Sequence, residues 1–260
     1  MKREKKLIVR TFDKLRFGAE EYGILRSALC KKIAEKLEET GHRPLNGEKK
    51  KKLFSFIEDL LWWSDRIHLL GKRNIEANIE RQISDSAYIL RFLKSYLDRV
   101  PANGMSKGPG ARSKGGKSFL DGIRVADIGS GAGFPALVWK ILHPELDITL
   151  FERKQKAAAF LTRETNRLDL KGAKVFACDA AAYSPEGRFE IVTSKAAGKL
   201  PEIMPVVSML LSEGGIYTTL KGEGWRKKEQ GEGFTSMKLE KADDMPEGRG
   251  VAVIYRKTAG

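Results

Sequence analysis

The sequence predicts an α/β protein: a Rossmann-like, mostly parallel sheet of seven strands, preceded by an N-terminal helical module. Three observations predict it. The first hundred residues repeat apolar side chains at helical spacing. From Arg124 onward, short β-branched runs alternate with helical stretches. The first of those runs, Arg124 to Ile128, feeds directly into a turn carrying Gly129, Gly131 and Gly133. Strands that alternate with helices imply βαβ units and a parallel sheet.

In order, Tyr22, Leu25, Leu29, Ile33 and Leu37 mark a first helix, with Gly41 as its stop. Leu53, Ile57, Leu60, Leu61 and Ile67 mark a second, thickened by Phe54, Phe56, Trp62 and Trp63 and headed by Lys49 to Lys52. A helix N-terminus is electropositive, so those lysines gain nothing from the dipole; they either face phosphate or are solvated. Ile79, Ile83, Ala87, Leu90, Leu93 and Leu97 mark a third helix. Residues 1–100 are therefore expected to form a basic helical module. Residues 101–118 hold five glycines, two prolines and the cations Lys107, Arg112, Lys114 and Lys117. Such a composition buries too little apolar area to fold alone, which predicts a flexible loop.

The sheet domain is expected over 119–260. Its strands are predicted at 124–128, 148–151, 174–178, 189–194 and 215–220, with a closing antiparallel pair at 234–239 and 251–256. Helices are predicted at 134–142, 154–168 and 201–211. The third and fourth strands are too close together for a full helix between them.

The chain of 260 residues carries a formal charge of +14, unevenly placed. Residues 1–118 hold 27 Lys/Arg against 15 Asp/Glu, whereas residues 119–260 hold 21 against 19. A near-neutral body with a basic front suits an enzyme that acts on a polyanion; the alternative is a solvated basic surface. No apolar run is long enough to cross a bilayer, and Leu7-Ile8-Val9 is too short for a signal-peptide core. Cys30 and Cys178 lack metal-ligand spacing, as do His42, His68 and His143. No metal, membrane or obligate protein partner is expected, and a reducing cytoplasm is the predicted location.

Ligands of open α/β sheets bind beyond the carboxyl ends of the strands, so the residues there belong together. They are Asp127, Glu152, Asp179, Lys195 and Lys221. Gly129, Gly131 and Gly133 let the backbone take positive φ and approach a ligand without a Cβ between. Glu152 lies where an acid can accept hydrogen bonds from ribose hydroxyls. Asp127 either holds the turn or faces a cationic group; Asp179 either accepts from an adenine amino group or caps a turn. A dinucleotide loop needs a small third residue where this chain has Phe134, which argues against a nicotinamide cofactor. The turn instead resembles motif I of S-adenosylmethionine (SAM) dependent methyltransferases.

The whole stretch from Arg124 to Pro135 resembles the glucose-inhibited division protein B family, methyltransferases of guanine N7 in 16S ribosomal RNA. Further likeness lies in Phe151-Glu152 with Lys156 and Phe160-Leu161, in Thr193 to Ala196, and in Leu220-Lys221-Gly222. Upstream, Leu60 to Leu70 resembles the family's Trp-bearing helix, and Gln82 to Ser86 its His-Ile-Leu-Asp-Ser. The resemblance spans about residues 50–257. It implies SAM as cofactor, contacted by Gly129 and Phe134 and bracketed at its adenine by the backbone of Ala180 and Ala181. It also implies a catalytic and substrate-binding role for Lys195, where the family has arginine. The 16S ribosomal RNA or the small-subunit particle would be the partner. The chain departs from the family at Asp179-Ala180-Ala181, where Arg-x-Glu is usual, and at Ala136, Gln82 and Lys195. Lysine supplies a point charge in place of a planar fork. Two other readings stay open: a different RNA or small-molecule acceptor, and an RNA-binding chain without turnover.

Overall fold

The structure, a computed structural model, describes residues 19–39, 45–71, 74–99, 122–184, 187–195, 198–222, 237–245 and 250–258, with residues 41, 120 and 225. The predicted loop at 101–118 lies outside the described residues. The chain divides into two compact units at Ser84/Asp85, inside the third helix.

The first unit contains α1 (Ala19–Glu39), α2 (Gly47–Ile67) and the opening of α3 (Ile75–Leu97). Asn46 caps α2 by accepting from the Lys49 N–H at 2.9 Å, so the four lysines fall inside the helix rather than ahead of it. The apolar stripes become a core: Ile33, Leu37, Leu53, Phe56, Ile57, Leu60, Ile79 and Ile83 are buried. Glu80 of α3 receives Lys32 at 2.8 Å and Lys36 at 3.4 Å from α1.

The second unit is built on a seven-stranded sheet in the order β3-β2-β1-β4-β5-β7-β6. The strands are β1 (Arg124–Ile128), β2 (Asp147–Phe151), β3 (Ala173–Phe176), β4 (Phe189–Ser194), β5 (Leu211–Lys221), β6 (Met237–Asp244) and β7 (Val251–Lys257). Helices α4 (Ala136–Leu142), α5 (Gln155–Arg167) and α6 (Leu200–Leu210) connect them. β1 to β5 run parallel, and β7 pairs antiparallel with both β5 and β6. β1 and β4 are buried on both faces, which is why apolar residues, several of them β-branched, occupy both alternating sets of positions around the buried polar Asp127, Glu190, Thr193 and Ser194.

Most boundaries shift by a residue or two from the sequence expectation, and four shifts bear on the site or the sheet. β3 stops at Phe176, so Cys178 stands beyond the strand and only half-buried. As the short spacing before β4 predicted, only a single 3-10 turn (Ala180–Ala182) follows. α4 begins at Ala136, with Pro135 at its cap rather than in its first turn. β5 starts directly after α6, because Leu211 pairs with Phe189 across an irregularity in the β4–β5 ladder. β6 lies later than predicted, on a charged stretch suited to a sheet edge.

Candidate functional site

Strand register builds the site. Ile128 pairs with Phe151 and Ser194, Phe151 with Phe176, and Ser194 with Thr219. The residues that follow therefore share one edge: Gly129 after β1, Glu152 after β2 and Lys195 after β4.

The glycine turn is tied to β2. The Gly129 and Ser130 N–H groups both donate to Phe151 O, at 2.9 and 3.1 Å. Glu152, 6% exposed, completes the tie: its Oε2 accepts from the Gly131 N–H and its Oε1 from the Lys154 N–H, each at 2.8 Å. Gly129, Gly131 and Gly133 all have positive φ, as their spacing predicted. They are not equivalent. A Cβ on Gly133 would stand 2.6 Å from Leu137 Cδ1, so that glycine serves close packing of α4. A Cβ on Gly131 would meet nothing nearer than Gly129 O at 3.8 Å, so its side of the turn is open.

Asp127 is fully buried at the end of β1, and neither carboxylate oxygen has a hydrogen bond of ordinary geometry. Burial pushes its carboxyl up to about 8; Glu152 adds to this, while the Ser130 hydroxyl, the Ala136 N–H and Lys195 oppose it. Phe134 is 5% exposed and forms an apolar wall. The Lys195 ammonium sits 5.9 Å from that ring's centre and 3.3 Å from Asp85 Oδ2. Behind Lys195, Ser194 is fixed by its hydroxyl at 2.7 Å from the Tyr217 hydroxyl and by Thr219 Oγ1, which donates to Ser194 O at 2.7 Å.

The remaining expected residues stand further out. Asp179 is exposed beyond β3 and uses Oδ1 to accept from the Ala181 N–H at 3.0 Å, capping the 3-10 turn. Ala180 is buried and Ala181 exposed. Phe176 stacks on Phe151 nearby, and Tyr183 packs tilted against both rings with centres 4.9 Å apart in each case. Lys221 ends β5, opposite Val251 of β7. Sequence reasoning missed Asp85 as the partner of Lys195; its signal was the Gln82 to Ser86 stretch. Among the described residues, no group of His, Cys, Asp and Glu is arranged to hold a metal, and both cysteines are free. No helix among them is long and apolar enough to cross a membrane.

Two features separate this sheet from a dinucleotide-binding one: β7 runs antiparallel between β5 and β6, and Phe134 fills the place of a third small residue. Together they define the class, a SAM-dependent methyltransferase of Rossmann-like fold. The open side of the turn at Gly131, above a carboxylate with lone pairs to spare on Glu152, fits such a cofactor.

Comparison with known proteins narrows the class. The GidB family, rRNA small subunit methyltransferase G, matches residues 115–246, and the chain belongs to that family. Three relatives carry the name ribosomal RNA small subunit methyltransferase G. That of Coxiella burnetii (strain Dugway) is 28% identical over 170 residues, 65% of this chain and 70% of the relative. That of Ruthia magnifica is 26% identical over 184 residues, 71% and 77% of the two chains. That of Streptococcus agalactiae is 28% identical over 181 residues, 68% and 67%.

Proposed function

We propose that this protein transfers a methyl group from SAM to N7 of a guanine in small-subunit (16S) ribosomal RNA. The observation that carries the reading is the family match over residues 115–246, which includes the glycine turn, Glu152 and Lys195. The basic excess of residues 1–118 supports a nucleic-acid acceptor, gripped through the helical module of residues 1–100. Two free cysteines without metal-ligand spacing support a reducing, cytoplasmic location.

Guanine N7 carries an in-plane lone pair and no proton at neutral pH, so the reaction needs no general base. What remains is alignment and the exclusion of water. SAM, when bound, supplies an electrophilic methyl group on a sulfonium. Gly129 and Gly131 would cradle the cofactor while Gly133 lets α4 pack against the turn; Glu152 would accept from its ribose hydroxyls, and Asp179 with the Ala180 and Ala181 backbone would bracket its adenine. Asp127, kept protonated at neutral pH by its burial, sets a neutral carboxyl group beneath the turn. Phe134 excludes water from the reacting atoms. Lys195 donates from Nζ to guanine O6 or to a phosphate, and Lys221 adds a second cation at the substrate edge.

Mass-spectrometric mapping of methylated guanines in 16S ribosomal RNA, from cells with and without the gene, tests the reading. One 7-methylguanine should disappear with the gene. An unchanged map would overturn this acceptor in favour of another RNA, a small molecule or binding without turnover.

A further inference from the structure

Asp85 is anchored to the site from behind. Ser86 O accepts from Trp139 Nε1 at 2.7 Å, and the fully buried Trp139 belongs to α4, the helix that leaves the glycine turn. Asp85 Oδ2 lies 3.3 Å from the Lys195 ammonium, with the two side chains 5% and 15% exposed. The ammonium is also 5.9 Å from the Phe134 ring centre, and its charge is felt at Asp127. A lysine stem is flexible, and holding its head costs rotamer freedom unless a partner fixes it.

Charge makes this pairing consequential. The methyl donor is a sulfonium cation, and after transfer the positive charge resides on the alkylated base. An uncompensated ammonium in the same poorly solvated crevice would repel both. We propose that Asp85 is a positioning residue that neutralises and orients Lys195, so that the crevice tolerates a cationic donor while keeping a hydrogen-bond donor for the acceptor base. The inference rests on the cofactor assigned under the proposed function.

Its test needs no turnover. SAM and S-adenosylhomocysteine, which lacks the methyl group and the sulfonium charge, are titrated by calorimetry into the full chain. Asp85→Asn should weaken SAM about tenfold and S-adenosylhomocysteine less than about threefold, because only the former carries a positive charge for the ammonium to repel once the Asp85 charge is gone. Asp85→Glu should keep the wild-type ratio of the two affinities, and adding Lys195→Met to Asp85→Asn should restore it. Lys195→Met alone removes the ammonium, keeps the Asp85 carboxylate and should shift the ratio toward SAM, which preserves the test if the asparagine variant does not fold. Equal weakening of both ligands by Asp85→Asn, or an unmoved ratio in Lys195→Met, overturns the proposal and leaves the pair a structural contact. If the wild-type chain binds neither ligand, the cofactor assignment fails first and this inference with it, a result visible before any variant is made.

Discussion

Glu152 holds the glycine turn from the end of the neighbouring strand: its Oε2 accepts from the Gly131 N–H at 2.8 Å. An acid expected to face a cofactor's ribose thus also fixes the loop that would cradle it. Glu152→Ala removes this bond and the one to the Lys154 N–H. It should cost about 1–3 kcal/mol of stability and lower SAM affinity at least tenfold. Glu152→Gln, which keeps one acceptor oxygen, should fall between. Urea unfolding and calorimetry check the two effects separately.

The three glycines should respond differently to substitution. Gly133→Ala drives a Cβ into Leu137 at φ +90, and should destabilise the fold by about 2 kcal/mol or more. Gly131→Ala meets only Gly129 O, at an ordinary contact distance of 3.8 Å, at φ +52, and should cost only about 1 kcal/mol of strain. Gly131→Trp should abolish SAM binding while the chain stays folded, because it fills the open side of the turn. Thermal melts with parallel binding titrations distinguish fold loss from site loss.

Asp127 should imprint a pH dependence on stability. Its carboxyl is raised by burial from 3.8 to about 8. Between those values the native protein holds a proton that the unfolded chain has released, so stability falls as pH rises through the window. Asp127→Asn removes this group's contribution. Its stability relative to wild type should improve steadily from pH 4 to pH 8, measured as urea midpoints. A difference that does not change with pH would mean that Asp127 is solvated or paired.

The positive excess of residues 1–118 should appear as salt dependence. With four phosphate contacts, RNA affinity should fall roughly a hundredfold between about 50 and 200 mM salt. Fluorescence anisotropy with a ribosomal RNA fragment measures the slope, and a flat response would assign the charge to surface solvation.

How much was legible depended on where the physics is local. β1 and β4 match their expected bounds because central parallel strands are buried on both faces and read as short stretches rich in apolar and β-branched residues. β6 did not, since Lys238, Glu240, Lys241, Asp243 and Asp244 look like a loop until β7 is beside them. In α3, Tyr88 and Tyr96 help hold that strand, donating to Asp243 Oδ2 at 3.2 Å and to Glu240 Oε2 at 3.4 Å. The glycine turn and Glu152 could be read because strand ends in a parallel sheet converge by topology. The Asp85–Lys195 pair could not: 110 residues separate its members, and no local pattern connects a mid-helix aspartate to the residue after a strand.

The strand order carries a consequence for synthesis. β7 is made after β6 yet lies between it and β5. While the chain is being translated, β6 has no place to attach, and β5 presents an unpaired flank until residues 251–257 emerge. A stop codon just before Val251 would therefore remove two strands' worth of pairing rather than one. It would also strip α6 of Lys257, whose ammonium donates to Ser208 O at 3.0 Å and Leu211 O at 3.1 Å.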